Sequence, residues 1–203
     1  CFGPAELDEC GECNGDNSSC QSPIANSLNV STNEDEGLLI QLTGSDPGSS
    51  ELSFIINQSP EHGTLTGNPD DLSQFNYTPS NNFYGEDSFT FVVFNGEFYS
   101  DEAAVVIQIN PVNDAPEVEH ITLEGQEDTN LNVTLAGEDV EGDELTYSVI
   151  NNPLNGSFSL TDNILTYSPN SDFYGEEQIS YITNDGELDS EEALITIIVA
   201  AVN

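Results

Sequence analysis

Short runs in which apolar and polar residues alternate recur along the whole chain, and this period of two predicts β-strands. The runs are rich in β-branched and aromatic residues, and Gly, Pro, Asn and Asp separate them, as is typical of turns. No capped helical stripe interrupts the pattern. The predicted strands are residues 38–42, 52–56, 74–78, 88–94 and 103–110, and then 130–135, 145–150, 164–167, 178–183 and 193–199.

The second half of the chain repeats the first. Residues 33–36 (NEDE) match residues 126–129 (QEDT) at an offset of 93, and residues 83–86 and 173–176 are both FYGE, at an offset of 90. The three residues missing from the second copy, around 67–71, mark a surface loop.

The repeats set the domain organisation. Each copy has about seven short strands in roughly 90 residues, which predicts an immunoglobulin-like β-sandwich. We therefore predict an all-β chain with a cysteine-rich disulfide segment over residues 1–21, a first sandwich over 22–111 and a second over 112–203. The linker is expected at about residues 111–116.

Charge excludes several functions. The chain has 203 residues, 38 Asp or Glu and no Lys or Arg, so its formal net charge is −38. Nucleic-acid binding, adhesion to anionic membranes and phosphoryl transfer all need cationic side chains. The longest apolar stretch, 193–202, is about half the length of a transmembrane helix. A chain that repels itself on folding needs cations from outside, and divalent metal is the natural candidate.

Enzymatic function is not expected. His62 and His120 are isolated from each other in the sequence, there is no Gly-x-Ser-x-Gly elbow, and no Lys is available as a base. Pairs of carboxylates can hydrolyse glycosides, but among 38 acids some pairs lie close together by chance. We therefore predict a non-enzymatic protein.

Several motifs together resemble the bacterial cadherin-like tandem repeats of large surface proteins. They are the linker 112–116 (VNDAP), the acidic Glu-Asp pair that opens each copy, residues 139–143 (DVEGD), and the FYGE of each copy. The resemblance runs from about residue 22 to the end. It implies Ca²⁺ at the junction between successive domains.

The resemblance also implies the calcium ligands. Calcium takes six to eight oxygen ligands, which carboxylates and carbonyls supply. The alternative is that these acids only solvate turns. The predicted ligands are Glu34, Glu86 and Asp87 from the first copy, Asn113 and Asp114 from the linker, and Asp139 and Glu141 from the second copy.

The copies differ where ligands are expected. The first copy has Asp46-Pro47-Gly48 at the place of Asp139-Val140-Glu141, so a site ahead of the first copy should be weaker or absent. A second half-site is expected beyond the second copy, with Glu127, Glu176 and Glu177 as its ligands. Another module or a neighbouring subunit would complete it.

The first twenty residues form a different unit, which resembles the Cys-Gly-x-Cys-x-Gly-Asp-x-Ser-x-Cys element of secreted cysteine-rich modules. Four cysteines allow three pairings, and we favour two disulfides over zinc because only one Cys-x-x-Cys is present. Oxidised cysteines indicate an extracellular or periplasmic compartment, and we predict a secreted, extracellular protein of the cell surface. Alternatives are a lipid-bearing first cysteine and calcium at Asp8, Asn14 and Asp16. The cysteines are Cys1, Cys10, Cys13 and Cys20.

Six Asn-x-Ser/Thr sequons occur, and the composition alone would produce about four, so N-glycosylation is permitted rather than indicated. The sequon asparagines are Asn17, Asn29, Asn57, Asn76, Asn132 and Asn155.

These features predict an extracellular structural protein in which Ca²⁺ stiffens tandem sandwiches into a rod. It would serve as the stalk of a large adhesin or as a subunit of a surface filament. Expected partners are copies of itself or neighbouring repeats, end to end, and a cell-surface glycan or protein. The alternative is a carbohydrate-binding accessory module of a secreted enzyme. That module would use Tyr84, Tyr99 and Tyr174, because the chain has no Trp.

Overall fold

The computed structural model describes residues 21–48 and 51–202, and all regular structure in these ranges is β. The chain forms two compact units, the first ending at Val112 and the second beginning at Asn113. Each is a β-sandwich, which confirms the predicted fold class. The predicted cysteine segment lies outside the described residues.

The first unit packs a four-stranded sheet against a three-stranded sheet. The larger sheet has the strand order β2, β9, β8, β5, in which β2 and β9 are parallel and the other neighbours are antiparallel. In the smaller sheet, β7 lies between β3 and β6. A two-stranded ribbon joins β1 to β4. The strands are β1 (Ile24–Ala25), β2 (Leu28–Asn33), β3 (Leu38–Gln41), β4 (Gly44–Ser45), β5 (Ser53–Gln58), β6 (Gly63–Asn68), β7 (Asp71–Pro79), β8 (Gly85–Phe94) and β9 (Ala103–Asn110).

The second unit has the same topology strand for strand. Its larger sheet has the order β11, β18, β17, β14, its smaller sheet the order β12, β16, β15, and a ribbon joins β10 to β13. The strands are β10 (Glu117–Val118), β11 (Ile121–Gln126), β12 (Leu131–Thr134), β13 (Gly137–Glu138), β14 (Thr146–Val149), β15 (Gly156–Thr161), β16 (Ile164–Pro169), β17 (Gly175–Asn184) and β18 (Ala193–Ala200).

Each core consists of inward-facing side chains from the central strands. Alternate residues of β8 and β9 are buried in the first unit, and alternate residues of β17 and β18 in the second. A tyrosine from the smaller sheet, Tyr77 or Tyr167, is fully buried in each core. The repeat is therefore reproduced at the level of packing.

A buried carboxylate ties the first sandwich together next to Tyr77. Asp87 on β8 is only 4% exposed. It accepts hydrogen bonds from the backbone N–H groups of Glu61 and His62 at 3.0 Å each, and from the Ser88 N–H and the Tyr77 hydroxyl at 2.8 Å each. These bonds fix the loop before β6 to β8. Burial, and then the hydrogen bond to Asp87, raise the pKa of Tyr77.

The second sandwich makes the same connection with Glu177. This buried side chain accepts a hydrogen bond from the backbone N–H of Asn155 at 2.6 Å, while the Tyr167 hydroxyl donates to the Asn155 carbonyl at 3.0 Å. Both units thus bury an acid whose partners are uncharged donors.

Asp87→Ala should lower the free energy of unfolding of the first unit by about 2–3 kcal/mol, because buried backbone N–H groups and the Tyr77 hydroxyl lose their acceptor. Glu86→Ala, at the exposed neighbouring position, removes the same charge and should change it by about 0.5 kcal/mol at most. Urea unfolding followed through NMR resonances of the first unit measures both. Equal effects of the two substitutions would contradict the role given to Asp87.

Candidate functional site

Oxygen-bearing side chains gather at the end of the second unit where the chain enters it. Strands β10 and β13 are antiparallel, with Glu117 opposite Glu138, so the residues just before β10 lie beside those just after β13. A further acid follows the last residue of β17. We call this group the Asp139 cluster, which consists of Asn113, Asp114, Asp139, Glu141 and Asp185.

Hydrogen bonds tie the start of the unit to its loops. The Asn113 Nδ2 donates to Asp185 Oδ2 at 2.8 Å, and the Asp114 backbone N–H donates to Glu141 Oε2 at 3.3 Å. Asp185 is not among the ligands predicted from the sequence, although the Asn/Asp-Gly-Glu motif that contains it recurs in both copies. The contact with Asn113 makes Asp185 part of the site.

Asp139 has one oxygen that the protein does not satisfy. Its Oδ1 accepts a hydrogen bond from the Asp143 backbone N–H at 2.9 Å, whereas its Oδ2 is enclosed and has no hydrogen-bond partner among the described residues. An enclosed carboxylate oxygen without a partner costs free energy, because water has been removed from it and nothing replaces the water. A bound cation would satisfy this oxygen.

Asp185 is held in its ionised form by neutral donors. Its Oδ1 accepts hydrogen bonds from the backbone N–H groups of Leu188 at 2.7 Å and Glu187 at 2.6 Å. These two bonds, followed by the one from the Asn113 amide, lower the pKa of Asp185. The cluster therefore keeps this negative charge at neutral and mildly acidic pH.

At the corresponding place in the first unit, an asparagine amide lies against the aspartate that is equivalent to Asp139. Asn95 stands where the second unit has Asp185, and its Oδ1 accepts from the backbone N–H groups of Glu97 at 3.1 Å and Phe98 at 2.8 Å. Its Nδ2 donates to Asp46 Oδ1 at 2.8 Å. A neutral donor thus lies against Asp46, and Gly48 replaces Glu141. This gives a physical reason to expect weaker cation binding in the first unit.

Glu34 lies at the opposite end of the first unit, where the chain leaves it. It is 4% exposed, and its Oε1 accepts a hydrogen bond from the Val112 backbone N–H at 2.6 Å. Its Oε2 is enclosed and has no partner within the described residues. Glu127 repeats the contact in the second unit by accepting from the Val202 N–H at 2.7 Å. The early glutamate of each copy therefore anchors the segment that leaves its own unit.

Glu86 and Asp87 are neighbours on β8 and point to opposite faces of the sheet. Glu86 is exposed and lies opposite Gln108 of β9 in the antiparallel pair of strands. Asp87 is buried, and its four hydrogen bonds occupy both of its oxygens. This geometry argues against Asp87 as a metal ligand, and we assign it the structural role described above. Glu86 as a ligand stays a prediction.

The cluster fits calcium only if ligands other than carboxylates contribute. In residues 21–48 and 51–202, no three Asp, Glu, His or Cys side chains lie close enough together to form a metal-binding group by themselves. Calcium also accepts amide oxygens, backbone carbonyls and water. Asn113 uses its amide nitrogen in the bond to Asp185, so its side-chain oxygen remains available. The oxygen supply therefore suits a hard cation.

The sequon asparagines lie mostly at the surface. Asn29, Asn57, Asn76 and Asn132 are exposed, and Asn155 is half-buried. Asn17 lies outside the described residues. Accessibility therefore permits modification at four of the predicted positions, and glycosylation itself stays a prediction.

Asp185→Asn should keep the turn, because Asn95 accepts the same two backbone bonds in the first unit. A carboxyl whose pKa is lowered by folding stabilises the folded state above its usual pKa, near pH 4, and this contribution is lost as pH falls through the lowered value. The wild-type second unit should therefore lose more stability than the variant between about pH 5 and pH 2. Urea unfolding at several pH values measures this, and parallel acid profiles would contradict it.

Comparisons with known proteins agree with the fold. Residues 20–108 and 113–198 match the Bacterial Ig domain family, Big_9. Integrin beta-like protein B of Dictyostelium discoideum is 27% identical over 169 residues, which are 74% of this chain but only 9% of that protein. The chain thus spans about a tenth of the length of this relative. No helix of the described part is long and apolar enough to cross a membrane.

Solved structures show the same architecture. The structure of human protocadherin-24 EC1-2, form II, is similar over 90% of this chain and over all (100%) of the protocadherin chain. The TM-score of 0.58 at 13% sequence identity indicates a shared fold. An endo-fucoidan hydrolase of glycoside hydrolase family 107 is 25% identical and matches 90% of this chain but only 29% of the hydrolase chain. Its TM-score is 0.40, so the two structures superpose poorly. Because both sandwiches match the family model, the chain belongs to the Bacterial Ig domain family.

Proposed function

We propose that this protein is an extracellular, adhesion-type chain of tandem β-sandwiches that binds Ca²⁺ at the Asp139 cluster. Membership of the Bacterial Ig domain family, the cadherin-like fold and the integrin beta-like relative support the adhesion class. The observation that carries the calcium assignment is Asp139 Oδ2, an enclosed carboxylate oxygen with no partner among the described residues.

The ligands proposed from the second unit are the side-chain oxygens of Asp139 and Asn113 and one further carboxylate from Asp114, Glu141 or Asp185, because no three acids of the described residues lie close enough together to share an ion. Backbone carbonyls and water complete the coordination. Bound calcium would supply the positive charge that the chain lacks and would satisfy Asp139 without a basic residue. Glu34 and Glu86 of the first unit are predicted from the sequence to add to this set. The test below separates their contribution from that of the cluster.

Calcium would also fix the linker. Asn113 is already bonded to Asp185, and Val112 to Glu34, so each side of the Val112–Asn113 bond is held by its own unit. Ligands in the linker itself would further restrict its backbone, which is the property a stalk or filament needs.

Sedimentation of the chain in Ca²⁺ distinguishes the stalk from the filament, because a stalk segment stays monomeric and a filament subunit associates.

Calcium at 10 mM should stabilise the second unit by about 1.4–2.7 kcal/mol if Kd is about 10⁻³–10⁻⁴ M. For a unit of about 90 residues this corresponds to a Tm rise of about 6–20 °C. Asp139→Asn should abolish most of the rise. Asp172→Asn is the matched control, since it removes the same charge from a left-handed turn where the first unit has Asn82.

Calorimetric melting in CaCl₂ and in EDTA measures these shifts, with MgCl₂ as a control for ionic strength. An unchanged Tm in EDTA, or equal losses in the Asp139 and Asp172 variants, would remove the calcium assignment. The fold and family would be unaffected by that outcome.

Glu34→Gln should change the free energy of unfolding differently with and without calcium. In EDTA the variant should be as stable as wild type or more stable, because a buried charge without a cationic partner has been removed. If Glu34 is a ligand, calcium should stabilise the variant less than wild type. Paired urea titrations of both proteins test this, and an identical calcium increment in the two would exclude Glu34 from the site.

A second candidate, carbohydrate binding, is favoured by one observation. The FYGE loops present Tyr84 and Tyr174 at 60% and 66% exposure in equivalent places, each before a glycine with positive φ. Exposed aromatic rings stack on sugars. A glycan array probed with wild type and with the Tyr84→Ala, Tyr174→Ala double variant tests this function, which requires binding that the double variant loses.

A further inference from the structure

The second unit contains a cavity of about 490 Å³, bordered by the β10–β13 ribbon and by β11 and β12. Its inner wall is apolar, because Val118, Ile121, Val133 and Tyr181 line it and belong to or pack against the core. An apolar wall of this kind favours a ligand that carries methylene groups.

The rim of the cavity is acidic. The exposed glutamates Glu117, Glu119 and Glu138 line it together with His120. Glu117 lies directly opposite Glu138 in the antiparallel ribbon, and like charges at such a pair destabilise a sheet. The chain has no Lys or Arg, so any cation that relieves this repulsion comes from outside.

The first unit shows that the fold does not require these charges. At the same register it has Ile24 opposite Ser45, and Asn26 in place of Glu119. The core side chain Ile40 is 1% exposed there, whereas Val133, its shorter counterpart, is half-buried and lines the cavity. The second unit has therefore gained three carboxylates and an accessible apolar wall at one place.

Two other polar groups of the cavity lining are already engaged in hydrogen bonds. His120 Nδ1 accepts a hydrogen bond from the Leu194 backbone N–H at 2.8 Å, and the Tyr181 hydroxyl donates to the Glu119 backbone carbonyl at 2.7 Å. The imidazole therefore uses this nitrogen as an acceptor within the second unit. The three glutamate side chains are the acidic groups of the lining that can meet a ligand.

We propose that this cavity binds a lysine side chain of a partner protein. The four methylenes of lysine suit the apolar wall, and the ammonium group has three donors for three carboxylates. The planar guanidinium of arginine is better matched to a single carboxylate through two parallel bonds. The cavity thus selects an amphipathic cation rather than a metal ion, and it does not depend on the calcium site.

Binding is tested on the full chain by NMR titration with the blocked peptide acetyl-Gly-Lys-Gly-amide. The control peptide has norleucine, which keeps the stem and lacks the charge. The test variant is Glu117→Gln with Glu138→Gln. Its matched control is Glu124→Gln with Asp172→Asn, which removes two charges from exposed positions of the second unit outside the cavity lining. Each titration is run in EDTA and again in 10 mM CaCl₂.

The proposal expects the lysine peptide to shift the methyl resonances of Val118, Val133 and Ile121 in both buffers. The norleucine peptide should bind at least tenfold more weakly, as should the lysine peptide to the test variant, while the control variant binds like wild type. Equal binding of the two peptides, equal losses in the two variants, or shifts spread over the whole acidic surface would overturn the proposal. So would binding that calcium competes away.

Discussion

The absence of any internal cation is the constraint on which the rest of the structure depends. With 38 acids and no Lys or Arg, a carboxylate that leaves water must find a neutral donor or a cation from outside the chain. Asp87 shows the first solution in full, with three backbone N–H groups and one hydroxyl. Asp139 and Glu34 are satisfied only in part, since one oxygen of each accepts a hydrogen bond and the other is enclosed without a partner among the described residues. The proposed calcium site follows from this difference.

The two units separate what the fold needs from what function adds. Both have the same strand order, the same buried tyrosine and the same glutamate that anchors the departing segment. They differ at Asn95 and Asp185, where an amide in one unit becomes a carboxylate in the other, and at Ile24 and Glu117. These substitutions leave the backbone in place and change only the local charge. The proposed binding functions therefore depend in part on side chains that differ between equivalent positions.

The sequence predicts the fold class well because burial imposes the alternation that defines strands. Strands β8 and β9 were predicted because every second residue is strongly apolar. Strand β2 was missed because only Leu28 and Val30 mark its inner face before Thr32, and β6 was missed because glycine and threonine dominate it. The parallel pairing of β2 with β9 depends on long-range packing, which a local pattern does not contain. The site was predicted only partly, for a similar reason. The motif points to Asn113, Asp114, Asp139 and Glu141, but the inward direction of Asp87 and the contact of Asp185 with Asn113 arise only when the strands pair.

The most direct test of the central claim is the carboxylate ¹³C chemical shift of individual aspartates during a calcium titration of the whole chain. The account predicts that the Asp139 carboxylate shifts saturably, while that of Asp87, already satisfied by neutral donors, stays in place. A titration in which neither carboxylate responds, or in which both drift together without saturation, would contradict it.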